Sequence, residues 1–172
     1  MPQVNIRLAT FNDATLLSDL AVRTFSETFG SHNTPENMAS YLANSFSPTK
    51  QAEELADPNG WVKIAEIDAE AVGYAMMHAG HAPAVVNGER PIELVRLYVS
   101  QKSIGSGVGA ALMKDCLEES ATRGYQTIWL GVWEHNHRAL AFYRRWKFLE
   151  VGTHIFQLGD DPQTDLVMMR SL

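Results

Sequence analysis

Residues 92–109 constrain this chain more than any other stretch. The β-type run I-E-L-V-R-L-Y-V passes through S-Q-K-S-I-G-S-G-V-G directly into the helical pattern A-A-L-M-K-D-C-L-E-E. A strand that enters a helix through a glycine turn aims several unbonded backbone N–H groups, and the positive end of the helix dipole, at one point. That point suits an anionic ligand, usually a phosphate.

The 172 residues fit one compact domain, residues 1–172, large enough to bury roughly two-thirds of the unfolded surface in a single core. At 45% hydrophobic and 20% charged residues, the composition is that of a globular protein and not of a disordered or fibrous one. No run approaches the ~18 apolar residues of a membrane span. The opening residues lack the basic-then-apolar order of a secretory signal, which predicts a cytoplasmic protein without a membrane partner. A formal charge of -6 argues against nucleic acid, whose binding needs clustered Lys and Arg, and mildly favours a cationic substrate. The single cysteine, Cys116, lies among apolar helix positions and reads as a core residue rather than a nucleophile.

Alternation in V-N-I-R-L predicts a first strand over residues 4–8, followed by a helix to about Phe25 that Asn12 or Asp13 caps. Thr34 and Pro35 open a second helix, and a short third one spans residues 48–56. Residues 61–67 and 71–78 read as an antiparallel hairpin, with a loop over 81–91 before the central strand 92–99. The helix after the glycine turn runs to Arg123 and stops at Gly124. Val108, Leu112 and Cys116 make one apolar stripe and Met113, Leu117 and Ala121 the next, while Lys114, Asp115, Glu118 and Thr122 face away. A strand over 127–133, a helix over 136–146 and strands over 148–156 and 165–170 complete the chain, the last two flanking the loop L-G-D-D-P-Q-T. An antiparallel half followed by a strand, helix, strand crossover requires an α/β (α+β) chain with a mixed sheet and helices on both faces.

Three readings compete for the glycine turn. A P-loop needs G-x-x-x-x-G-K followed by Ser or Thr, and no such pair follows these glycines. A dinucleotide fold fits Gly105-Ser106-Gly107-Val108-Gly109-Ala110 loosely, with Glu134 near the end of the next strand. Against it stand the mid-chain position, the preceding hairpin and the roughly 60 residues that follow, too few for a second mononucleotide half. The third reading uses the surroundings. Strand L-Y-V, glycine turn, helix, strand and then E-H-N-H-R-A-L-A-F-Y-R-R-W-K-F resemble the GNAT family of acetyl-CoA-dependent N-acetyltransferases. More narrowly, F-S-E-T-F, P-E-N-M-A-S-Y-L, I-W-L-G-V-W-E and G-D-D-P-Q-T-D-L resemble the PaiA-type polyamine (spermidine/spermine) acetyltransferases.

The resemblance implies a mostly antiparallel sheet of about seven strands with helices on both faces, acetyl-CoA as cosubstrate and no metal. It places the pantetheine arm along Leu97, Tyr98 and Val99, one of whose N–H groups also serves the oxyanion. It places the pyrophosphate on the amides of Ile104, Gly105, Ser106, Gly107, Val108 and Gly109. Asn136 is then a hydrogen-bond partner of the coenzyme, besides being positioned as an N-cap, and Tyr143 is the general acid toward sulfur, on a helix face where a packing tyrosine is the ordinary reading. Glu93 stands where the family often has its base, or is an ordinary strand carboxylate. A homodimer paired through C-terminal strands is compatible with the family, although no unmistakable interface stripe is visible. Two positions depart from the family's pattern. Ile104 stands where its turn commonly has Gln or Arg, and Lys147 where Y-x-x-x-G-F has glycine, a site that costs a lysine about 1 kcal/mol if φ must be positive.

Amide formation requires that the amine lose a proton, that the carbonyl oxygen be stabilised and that the departing thiolate be protonated. Alkylamines have pKa values near about 10.4 and arrive mostly charged, so acidic walls suit them. Glu27, Glu36, Asp160 and Asp161 are the carboxylates considered for that role, each equally readable as a surface charge. Trp129, Trp133 and Trp146 are channel or core residues, and Glu134, His135 and His137 read as a solvated turn rather than a metal site. The expected activity is acetyl transfer to a primary amine, a small molecule and preferably a polyamine, in a ternary complex. The alternatives are a protein or peptide amine as acceptor, and a non-catalytic acyl-CoA-binding regulator.

Overall fold

A computed structural model describes residues 3–172. Seven strands form one sheet in the order β1-β2-β3-β4-β5-β7-β6. The strands are β1 (Asn5–Leu8), β2 (Gly60–Ile67), β3 (Glu70–His78), β4 (Pro91–Val99), β5 (Thr127–Trp133), β6 (Leu149–Leu158) and β7 (Asp161–Ser171). All neighbours run antiparallel except β4 and β5, as the crossover through an intervening helix demands. The helices are α1 (Ala14–Phe29), α2 (Pro35–Phe46), α3 (Pro48–Ala56), α4 (Val108–Thr122) and α5 (His137–Arg145). No helix among the described residues is long and apolar enough to cross a membrane.

The apolar periodicities bury as two main cores, one on each face of the sheet, with a small third cluster of Val86, Trp129 and Val167. Leu112, Met113 and Cys116 of α4 with Leu140 and Tyr143 of α5 pack on Ala75, Met77, Ile92, Leu94, Ile128 and Leu130. On the other face Leu17, Leu20 and Phe25 of α1 with Met38 and Phe46 of α2 pack on Val62, Ile64, Tyr74 and Met76. Burial pushes the Cys116 thiol up to about 12, so it is an unreactive core group. Ala121, read above as part of an apolar stripe, is exposed; the neighbouring buried position is Ser120. Asp115 turns inward instead of facing away, because Lys63 on β2 reaches it at 3.0 Å.

Local signals set most boundaries. Thr34 and Ser47 accept from the amides of Asn37 and Lys50 at 3.2 Å each, and a proline follows each cap. Asp68 and Ala69 both take positive φ, 50° and 64°, in the tight turn between β2 and β3. Gly124, at φ 83°, follows α4 in the left-handed conformation.

Two boundaries differ from the sequence reading. Helix α1 continues to Phe29 because that ring packs on Phe25, Tyr98 and Trp133, contacts invisible to periodicity. Its Asp13 does not cap it; the carboxylate binds Arg7 at 2.9 Å and the Thr10 amide at 2.7 Å. The expected loop over residues 158–164 shrinks to Gly159 and Asp160, while Asp161 to Thr164 pair with β6. Pro162 is tolerated in that stretch because β5 pairs with β7 only from Asp165 onward, leaving one edge of the strand without a ladder to interrupt.

Candidate active site

Strands β4 and β5 pair only over Pro91–Glu93 and Thr127–Trp129, and beyond that they diverge. The gap opens a cavity of about 610 Å³ whose lining runs from the glycine turn past Tyr143 to Glu93, His154 and Asp165. Register within β4 decides what faces it. Met76 opposes Arg96 but Met77 opposes Leu94, so Val95 is an extra residue and a bulge puts Val95 and Arg96 on the same face. The N–H of Ser100 bonds the carbonyl of Val72 at 2.8 Å, so alternation turns the polar backbone groups of Leu97 and Val99 toward the open side. A ligand arm laid in the gap meets an unsatisfied strand edge.

At the mouth of the gap, Gly105 and Gly107 hold φ of 85° and 89°, with open space where a Cβ would be. Glycine is needed there for conformation and not for room. The first bond of α4 runs from the Ala111 N–H to the Gly107 carbonyl at 2.9 Å, which leaves the amides of Val108, Gly109 and Ala110 as the helix's unpaired opening donors. Ile104 is 40% exposed on the lip of the cavity, and the hydroxyl of Ser106 is turned back onto the Ser103 carbonyl at 2.6 Å. The residues present therefore fit a diphosphate through main-chain donors, without a charged side chain at Ile104.

Tyr143 comes from α5, whose first turn Asn136 caps by accepting from the Ala139 amide at 3.2 Å. That bond uses the side-chain oxygen and leaves the NH₂ of Asn136 on the cavity wall. Tyr143 is 8% exposed, packed against Phe142 and Phe148, and burial raises its phenol above the ordinary value of 10.0. It is a protonated donor at neutral pH. Glycine at 109 lies beneath the Phe142 ring, where an added Cβ would sit 3.6 Å away. Lys147 ends the helix at φ 68°, the strained conformation expected for a position where glycine is usual.

The deeper half of the cavity is acidic and aromatic. Burial raises the Glu93 carboxyl above its ordinary value of 4.5, partly offset by His154, His78 and Arg96. Asp165 of β7, 8% exposed, is also raised by burial and has His154 of β6 at 3.4 Å. Arg96 offsets Glu93 only in part and makes no ion pair with either carboxylate, because Glu54 of α3 takes it in a two-pronged pair at 2.7 and 3.0 Å. Phe29, Tyr41, Trp133 and Phe156 supply the apolar walls.

The model of the acetyltransferase (GNAT) family matches residues 17–148, more than half of the chain, taking in Glu93, the glycine turn and Tyr143 but not His154, Phe156 or Asp165. The chain belongs to the GNAT family. An uncharacterized N-acetyltransferase of Mycobacterium bovis is 37% identical over 93% of this chain and 98% of its own. Another, from Lactobacillus delbrueckii, is 32% identical over 87% and 86%. Among solved structures, the PaiA N-acetyltransferase of Thermoplasma acidophilum in complex with coenzyme A superposes with a TM-score of 0.78 at 17% identity, covering 99% of each chain. The Escherichia coli ribosomal-protein-S18-alanine N-acetyltransferase gives 0.72 at 17% identity, over 98% and 94%. These two likenesses establish the fold. Family membership makes this GNAT protein an N-acetyltransferase with acetyl-CoA as cosubstrate.

Of the residues singled out in the sequence, Leu97, Tyr98, Val99, Ile104, Gly105, Gly107, Gly109, Asn136, Tyr143 and Glu93 all line the one cavity. Trp133 also lines it, whereas Trp129 is buried between Val86 and Val167. The acidic residues considered for the amine are elsewhere. Glu27 accepts from the Gln101 amide at 2.8 Å, and Glu36, Asp160 and Asp161 are exposed outside the cavity. Sequence reading missed Asp165 and His154, which only strand pairing brings opposite each other. The alternation of β6, with His154 and Phe156 on one face, was the available signal.

Proposed function

We propose that this GNAT enzyme, acting as one domain in the cytoplasm, acetylates the primary amine of a small molecule, a polyamine in preference to a protein terminus. The observation that carries the reading is the single cavity that joins an unpaired amide cradle at the start of α4 to a buried phenol and a buried carboxylate without an ion-pair partner. The likeness to a PaiA enzyme crystallised with coenzyme A and the formal charge of -6 support it.

The amides of Gly105, Gly107, Val108 and Gly109 hold the diphosphate, those of Ile104 and Ser106 being spent on the Gln101 and Ser103 carbonyls, and the free edge at Leu97 and Val99 carries the pantetheine arm. Glu93 takes a proton from the bound ammonium and frees its lone pair. The amine nitrogen then forms a bond to the acetyl carbon while a main-chain N–H of the Leu97–Val99 edge steadies the developing oxyanion. As the carbon–sulfur bond breaks, Tyr143 gives its proton to the sulfur; the second proton of the attacking nitrogen leaves to water as the amide forms, and Tyr143 is reprotonated from solvent. No acyl-enzyme is needed, in keeping with the core position of Cys116.

The test is Tyr143→Phe. Calorimetry is expected to show coenzyme A binding retained, while amine-dependent thiol release falls by about 10²-fold or more. Unchanged turnover would remove Tyr143 from the mechanism, and absence of amine-dependent turnover in the native protein would leave a binding regulator. Turnover with peptide amines alone would move the acceptor class.

A further inference from the structure

The acid at the far end of the cavity has no counterpart in the chemistry assigned above, because Glu93 and Tyr143 suffice for proton transfer. Asp165 nevertheless sits in the wall, 92% removed from solvent, on the strand position that pairs with Trp133 on one side and His154 on the other. Among the other carboxylates, Glu93 is assigned to proton transfer, Glu54 is paired with Arg96, and Asp57 lies 3.0 Å from the His78 ring. Asp165 has only His154, at a long 3.4 Å, and that ring is itself 39% exposed at its side chain.

The chain also keeps room for this arrangement. A Cβ at Gly131 would lie 2.7 Å from Nε2 of His154 and 3.3 Å from Oδ2 of Asp165, so a side chain there would displace the pair. Gly131 has no positive φ to explain its identity. Tyr41 and Phe156, with ring centroids 5.4 Å apart, flank the same recess and offer apolar and cation-attracting faces.

We infer that Asp165, positioned by His154 above Gly131, anchors the second ammonium group of a diamine or polyamine acceptor and makes the enzyme select dications over monoamines. This rests on the acetyl-transfer reading above. A carboxylate held in a water-poor recess without a fixed cation gains most from a ligand that brings one, and a monoamine delivered to Glu93 leaves it uncompensated.

The experiment compares putrescine with n-butylamine, chains of equal carbon count, at saturating acetyl-CoA, following free coenzyme A. The native enzyme is expected to favour putrescine in kcat/KM by about tenfold or more, mostly through KM. Asp165→Asn is expected to erase most of that ratio, whereas Glu93→Gln lowers kcat for both amines alike. Gly131→Ala, whose methyl displaces His154, is expected to reduce the ratio as well, and it covers the case in which Asp165→Asn does not fold. Equal efficiency for the two amines in the native enzyme, or a ratio untouched in folded Asp165→Asn, overturns the anchor while leaving acetyl transfer to amines standing. Coenzyme A binding without turnover of either amine overturns both.

Discussion

Glu93 shows how one residue's surroundings set its chemistry. Burial raises its carboxyl above 4.5, and a base must be ionised to act, so the acid limb of kcat/KM is expected above the ordinary carboxylate range. Glu93→Gln should lower kcat by about 10²-fold or more and abolish that limb, which a pH series with the best amine will read. Stability carries the same signature with a definite sign. The folded protein holds this proton more tightly than the unfolded chain, so the associated stability is present at low pH and is lost as pH rises from 4.5 through the raised value. Asp165, raised for the same reason, acts in the same direction. Asp13 acts oppositely: Arg7 pulls its carboxyl down to about 2, and its contribution disappears as pH falls from 3.8. Glu93 and Tyr143 were singled out in the linear sequence by its resemblance to the GNAT family, and the fold brings both to the cavity wall. Asp165 was not, since an acidic residue at the start of a strand looks like an edge charge until β6 is laid beside it.

At the scale of elements, turns and caps carry most of the local information. Lys147 follows α5 at φ 68°, a conformation that glycine reaches freely and lysine reaches at a cost of about 1 kcal/mol. Lys147→Gly is therefore expected to raise the melting temperature by roughly 2–4 °C, measured by calorimetry, with kcat unchanged. A fall instead would mean that glycine's extra unfolded-state entropy outweighs the relief. The paired signals of Thr34-Pro35 and Ser47-Pro48 marked α2 and α3 in the sequence because capping is a local event. The end of α1 and the stretch Asp161 to Thr164 escaped notice because aromatic packing and strand pairing decided them, and both are contacts between distant parts of the chain.

For the molecule as a whole, the divergence of β4 and β5 is the central feature. It exposes a strand edge in the middle of a sheet, where exposure is ordinarily filled, and in the reading proposed above the coenzyme lies there, at a place that exists only in the folded state. Coenzyme A at 100 times its dissociation constant should add about 2.7 kcal/mol, a rise of roughly 5–10 °C in melting temperature, and NAD at equal concentration should add none. An equal or larger shift with NAD would return the glycine turn to the dinucleotide reading.

Periodicity, glycine placement and capping residues were enough to specify the order of strands and helices, the parallel crossover and the glycine turn before α4, because each depends on residues close together in the chain. The shape of the acceptor cavity came from elsewhere. The bulge at Val95, the capture of Arg96 by Glu54 and the meeting of His154 with Asp165 over Gly131 join residues from five separate elements. Such contacts depend on register and burial, and no local pattern of side chains encodes them.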